Sequence, residues 1–253
     1  MTCRGLTSYC LMKNNLERLD DLLIDGMKLW QRTDQFRFAI DAVLLAHFPK
    51  FNERRRYADL GTGTGVIPLL MTARGVKDIT AVEVNPVLAD LARRNIVLNH
   101  KESEITLVEA DYCRLEGSEW VERFDGIVIN PPYFTAAQGA QPQSADVNLA
   151  RHETVYDILD IAKAAARLGK YQGQAFWIYP VSRLMDLLSA LKEVKLEPKR
   201  MRFVHSMPGK AAKLVLIEAR KAGQVGLITE VPLYIYDTPN VYSEEVRSWY
   251  ERT

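Results

Sequence analysis

From Tyr57 onward the chain alternates short apolar runs with longer stretches of helical period, and this alternation limits the possible folds more than any other feature. The runs YADL, ITAVEV, ITLVEA, FDGIVIN, QAFWIYP, RMRFVHS and KLVLIEA read as strands. Helices are predicted between them at Val66–Arg74, from Pro86 to Asn99 with Asn85 as the N-cap and the proline at the first helical position, at Val155–Arg167 and at Ser182–Val194. Strands linked by helical crossovers pair in parallel, and a parallel sheet needs helices on both faces. The prediction is an α/β fold around a mostly parallel sheet. Upstream, Asp25-Gly26 lies between LLI and MKLWQ and supplies the positive φ angles of a type I′ turn, which predicts a hairpin. A helix over Ala39–Phe48 is predicted to stop at Pro49. Beyond Val225, VPLYIYD is predicted as a strand and Ser243 as the cap of a short helix. The expected organisation is a hairpin and helix extension over 1–50 packed on the core, a main domain over 51–223, and a strand and helix extension over 224–253.

Composition removes several classes. The three cysteines (Cys3, Cys10, Cys113) are odd in number and lack CxxC spacing, so neither a disulfide framework nor a local cysteine zinc site is expected. No apolar stretch approaches the ~18 residues of a membrane span, and the N-terminal stretch lacks a signal-peptide pattern. A cytoplasmic protein without metal or membrane attachment is expected. The net charge of +1 excludes a polycation that coats nucleic acid indiscriminately. Charge is nevertheless concentrated: from Lys192 to Lys221 there are nine Lys or Arg against three Glu. That segment reads either as a phosphate-binding face or as an ordinary solvated surface.

The chemistry begins at Asp59-Leu60-Gly61-Thr62-Gly63-Thr64-Gly65, between a predicted strand and a predicted helix. Glycines at such a turn let the backbone bend sharply and lie against a ligand. The spacing is G-x-G-x-G rather than the G-x-G-x-x-G of dinucleotide sites, and the preceding acid, Asp59, would repel a pyrophosphate. It suits a ligand that carries an ammonium group. Glu83, ending the next strand, can accept hydrogen bonds from two ribose hydroxyls, and Asp111, after the third, can accept from an adenine amino group. Acids at three successive strand ends around a glycine turn resemble the S-adenosylmethionine pocket of class I methyltransferases.

At the end of the fourth strand stands Asn130-Pro131-Pro132-Tyr133. It resembles the signature of methyltransferases that modify a planar NH2 group, whether adenine N6, guanine N2 or a glutamine amide. The lone pair of such an amine is delocalised, and attack on a methyl requires the nitrogen to become tetrahedral. The Asn130 side-chain oxygen and the Pro131 carbonyl can accept its two N–H bonds and so favour the transition state over the ground state. Prolines stiffen the corner, and Tyr133 can stack on an extruded base.

Further segments narrow the resemblance. QFRFAIDAVLLAHF, DLGTGTGVIPLL, NPPYF, ARHE and KLVLIEARKAG, in that order from Leu16 to Gly223, are similar to the bacterial tRNA(Val)-type adenine N6-methyltransferases. The resemblance implies a Rossmann-like seven-stranded sheet and methyl transfer from S-adenosylmethionine, with S-adenosylhomocysteine as by-product. The implied substrate is adenine N6 in RNA, expected to be tRNA beside the anticodon. Asp59, Gly61, Thr62, Gly63, Gly65, Glu83, Asp111, Tyr112, Asn130 and Phe38 are the implied cofactor residues, with Phe36 and Asp41 helping to close the pocket. Simple core packing is the competing role for the phenylalanines. Asn130, Pro131, Pro132 and Tyr133 are the implied catalytic set. Tyr133, Phe134, Arg151, His152, Lys199, Arg200 and Arg202 are the candidate substrate contacts, and the polar stretch Thr135–Asn148 reads as either a lid or an ordinary surface loop. The remaining alternatives are guanine N2, adenine in DNA, a glutamine amide, or an RNA-binding protein without activity. With only 58 residues before Asp59 and 253 in all, neither a separate helical domain nor a duplicated domain is expected.

Overall fold

The computed structural model describes residues 17–32, 40–131 and 156–250. Its first element is the expected hairpin, β1 (Glu17–Asp21) against β2 (Lys28–Arg32). The Met27 N–H donates to the Ile24 carbonyl at 3.0 Å across Asp25 (φ 51°) and Gly26 (φ 63°), both in the left-handed conformation that a type I′ turn demands. Helix α1 (Ile40–His47) follows and buries Ala42 to Ala46.

The main sheet contains β3 (Arg56–Leu60), β4 (Asp78–Glu83), β5 (Ile105–Glu109), β6 (Phe124–Ile129), β7 (Gly169–Pro180), β8 (Leu196–His205) and β9 (Ala212–Lys221). Their order is β8-β9-β7-β6-β3-β4-β5. The pairs from β5 through β7 are parallel, while β9 runs antiparallel to both neighbours. The strand order reverses between β3 and β6, which opens a crevice at their carboxyl ends. Crossovers are provided by α2 (Val66–Ala73), α3 (Pro86–Leu98), α4 (Ile158–Leu168) and α5 (Leu184–Glu193).

Side chains alternate between two cores, as the pleat requires. Tyr57, Val128, Phe176, Ile178 and Leu216 face α1, α2 and the hairpin. Ala58, Leu60, Ile127, Ile129, Trp177 and Ile217 face α4 and α5. Asp59 shares the parity of Tyr57 and is the acidic exception on an otherwise apolar strand, fully buried.

Strands β7 and β8 start earlier than the predicted runs QAFWIYP and RMRFVHS, at Gly169 and Leu196, and three further elements differ from the predicted ones. Asp157 caps α4 by accepting from the Asp160 N–H, so that helix starts at Ile158 rather than Val155. The predicted helix from Ser182 begins as a tight 3-10 turn, Val181–Arg183, and becomes α-helical only at Leu184. VPLYIYD is divided: β11 (Leu233–Tyr234) continues along β8, then β12 (Tyr236–Thr238) leaves to pair with β13 (Val241–Tyr242). Together with β10 (Ile228–Thr229), β11 gives the seven long strands two short companions on the outer side of β8. They occupy backbone groups that an edge strand otherwise presents to other chains. The last helix, α6 (Glu244–Tyr250), starts as predicted, with Ser243 Oγ accepting from the Val246 N–H. No helix among the described residues is long and apolar enough to cross a membrane.

Candidate active site

The glycine turn joins β3 to α2 at the crevice. Gly61 N–H and Thr62 N–H both donate to the Val82 carbonyl of β4 at 2.9 Å, and Gly65 N–H donates to Thr62 O. Gly65 has φ +82°, and a Cβ there would lie 3.4 Å from that of Ala92 on α3; backbone conformation and helix packing both favour glycine. Gly61, at φ +77°, lies against the Tyr112 ring.

Glu83 is held in place rather than left to swing. Its Oε2 accepts from the Gly63 N–H at 2.7 Å and its Oε1 from the Asn85 N–H at 2.9 Å. A carboxylate oxygen can accept more than one hydrogen bond, so a carboxylate oriented in this way is compatible with donation from two ribose hydroxyls. Asn85 also caps α3, as predicted, by accepting from Val87 and Leu88.

Asp59 is the anomaly of the site. It has no solvent exposure, and neither carboxylate oxygen has a hydrogen-bond partner among the described residues. Burial raises its pKa from 3.8 to about 7; the neighbouring Thr62 hydroxyl eases the rise and the Glu83 charge adds to it. The Thr62 relief is partial, since Thr62 Oγ1 makes no well-formed hydrogen bond of its own. A buried acceptor without a donor is costly in a folded protein. The cost is explained if a ligand supplies the donor, and an ammonium group fits this acid as a phosphate would not.

Asp111 follows β5 and already has partners. Its Oδ1 accepts from Cys113 N–H, while Oδ2 takes the Tyr156 hydroxyl and pairs with Arg114. A base amino group would therefore share Oδ2 or displace Tyr156. Arg167 of α4 fixes this turn by donating to the carbonyls of Tyr112 and Cys113. Burial raises the pKa of the Tyr112 hydroxyl and takes the Cys113 thiol up to about 12, so the thiol stays protonated.

The register Leu60↔Ile129 places Asn130 beside Gly61 on the adjacent strand, about one strand spacing (~4.8 Å) away. Pro131 is buried and Asn130 half-buried. Asp41 lies in the first turn of α1. Phe36, Phe38, Pro132, Tyr133, Phe134, Arg151, His152 and the stretch Thr135–Asn148 lie outside the described residues.

Lys199, Arg200 and Arg202 do not form a free cationic face. Arg200 pairs with Glu218 and Glu230, donates to Phe48 O and lies 3.9 Å over the Phe48 ring. Arg202 binds Glu245 with two nitrogens, and the Lys199 ammonium donates to Gln224 O. Glu218 comes from β9, Glu230 from just after β10, Glu245 from α6, and the carbonyls from Phe48 and Gln224, partners that the linear charge count could not assign to these cations.

Asn95 was not apparent as a site residue from the sequence. Fully buried on α3, it accepts from Trp30 N–H and donates to both Trp30 O and Thr64 O. One turn later Asn99 makes the same pair of bonds to Lys28. The two carboxamides act as a strand edge for β2 and tie the hairpin to the glycine turn. An asparagine at i and i+4 on one helix face was the available signal.

A family model described as methyltransferase small domain matches residues 39–152. The curated "tRNA1(Val) (adenine(37)-N6)-methyltransferase" of Phocaeicola vulgatus is 32% identical over 205 residues, covering 81% of this chain and 85% of that protein. The chain belongs to this methyltransferase family. Its Histophilus somni relative of the same name is 31% identical, over 82% of this chain and 86% of that one. Among solved structures, a predicted O-methyltransferase of Agrobacterium tumefaciens superposes with a TM-score of 0.66 at 22% identity, covering 83% of this chain and 95% of that one. P. horikoshii TYW2, solved with MeSAdo, gives 0.57 at 14% identity, over 82% and 72%. At such identities these two likenesses bear on the fold, which is that of the class I methyltransferases, as the strand order already indicates.

Proposed function

We propose that this family member transfers a methyl group from S-adenosylmethionine to the N6 amino group of adenine in tRNA, at the position 3′ of the anticodon. The observation that carries the reading is the buried Asp59 carboxylate, without a hydrogen-bond partner among the described residues, one strand from the Asn130-Pro131 corner. When bound, S-adenosylmethionine supplies a methyl group on positively charged sulfur. Asp59 accepts hydrogen bonds from the ammonium end of that ligand, and Glu83, already oriented by Gly63 and Asn85, accepts from the ribose. Asn130 Oδ1 and the Pro131 carbonyl accept the two N–H bonds of the target amine and favour a tetrahedral nitrogen. No side chain needs to act as a nucleophile, and alignment alone can lower the barrier by ~7 to 11 kcal/mol. A base beside the anticodon is outside continuous duplex and costs less to extrude than a paired one.

The test is digestion of tRNA, ribosomal RNA, DNA and protein after incubation with methyl-labelled cofactor. N6-methyladenosine from tRNA is the expected product. Label confined to DNA, to N2-methylguanosine or to glutamine would move the chemistry to another planar amine. RNA binding without turnover would make the protein a non-catalytic binder.

A further inference from the structure

The basic segment Lys192–Lys221 contains two sets of cations that the antiparallel β8–β9 pair sends to different places. Lys192, Arg200, Arg202 and Lys221 each face a carboxylate, namely Glu197, Glu218 with Glu230, Glu245 and Glu122. Lys210 and Lys213 lie at or beside the connection between the strands, are exposed, and have no ion pair or side-chain hydrogen bond among the described residues.

That connection is at the carboxyl end of the sheet, on the same side as the candidate active site. Ile129, Trp177 and Ile217 are abreast on β6, β7 and β9. Asn130 is one residue outward from Ile129, and Lys213 is four residues outward from Ile217. Lys213 is therefore two strand spacings (~10 Å) across from Asn130 and three residue steps (~10 Å) further out. A lysine there can reach the phosphates of nucleotides flanking a base held at Asn130.

The connection is also a built turn. Lys210 N–H donates to Met207 O at 3.2 Å across Pro208-Gly209, with Gly209 at φ +75°, the pattern of a type II turn. His205 Nδ1 lies 2.6 Å from Lys210 O, and the His205 ring packs near Tyr234 at 5.4 Å. The backbone that presents Lys210 is held from both sides, which lowers the ordering cost of a contact made through it.

We propose that Lys210 and Lys213 form a phosphate contact that seats the tRNA backbone beside the Asn130-Pro131 corner. This assignment rests on the tRNA reading above and replaces Lys199, Arg200 and Arg202 as the cationic substrate contact.

The experiment titrates a tRNA1(Val) transcript at several salt concentrations against wild type, Lys210→Glu/Lys213→Glu and Lys50→Glu/Lys195→Glu. The last pair changes charge equally at exposed positions towards the amino ends of the strands. S-adenosylhomocysteine affinity, measured in parallel, reports on the integrity of the fold. The Lys210/Lys213 variant is expected to bind tRNA about tenfold or more weakly, with a salt slope shallower by about 1.4 to 1.8. Its cofactor affinity is expected to be unchanged, and the control pair to bind tRNA nearly as wild type. Equal affinity and slope in wild type and the Lys210/Lys213 variant would overturn the lysine contact and leave the tRNA reading intact. An equal loss in both variants would overturn it in favour of overall charge. Wild type that shows no salt-dependent affinity for tRNA would overturn both readings.

Discussion

Asn130→Ala is expected to lower kcat by about 10²- to 10³-fold, the usual effect of removing one preorganised polar group that acts on developing charge or geometry. The residue stands at the tip of β6 beside the glycine turn, and its proposed bond to the amine N–H strengthens as the nitrogen becomes tetrahedral. Loss should therefore appear in kcat more than in cofactor affinity. Single-turnover methylation of tRNA, with S-adenosylhomocysteine binding measured by calorimetry, separates the two. An Asn130→Ala enzyme with wild-type turnover would show that the corner is only a structural bend.

Asp59→Asn should have opposite effects on binding and on stability. The folded protein holds the Asp59 proton up to about pH 7, against an ordinary 3.8, because burial strips water from the carboxylate and the Thr62 hydroxyl only partly offsets this. Its contribution to stability is thus greatest below pH 3.8 and is lost as pH rises towards 7. At pH 8 the cofactor-free Asn variant should be more stable to urea than wild type by on the order of 2 to 4 kcal/mol, and this difference should disappear near pH 4. The same variant should bind S-adenosylhomocysteine at least ~100-fold more weakly, since a buried ammonium loses its charged partner. In wild type, affinity should fall about tenfold per unit as pH drops below 7, where Asp59 becomes neutral. Unchanged affinity in Asp59→Asn would remove the residue from the pocket.

Residues whose role is set by local sequence were legible without coordinates. The seven long strands, the Asp25-Gly26 turn, the Asn85 cap and the Ser243 cap each depend on neighbours within a few positions. The acids at the strand tips were legible for the same reason, because a parallel sheet places each strand end at a common edge. What depends on distant partners was not legible. Arg200 and Arg202 looked like surface cations until β9, β10 and α6 brought acids to them. Asp111 looked like a free acceptor until Tyr156, 45 residues later, took its Oδ2. Asn95 looked like one more polar helix residue, although it joins the hairpin to the glycine turn. The division of VPLYIYD followed from the end of β8, since the Ile235 and Tyr236 N–H groups donate to His205 and Ser206 as that strand finishes.

The most direct measurement compares two tRNA1(Val) transcripts, one with adenine at position 37, the position named for the relatives, and one with purine there, which lacks only the amino group. Incubated with methyl-labelled cofactor and this protein, the first should yield N6-methyladenosine at that position and the second should remain unlabelled while binding comparably. Label on the purine transcript, or none on the adenine transcript from a protein that binds both cofactor and tRNA, would contradict the proposed target.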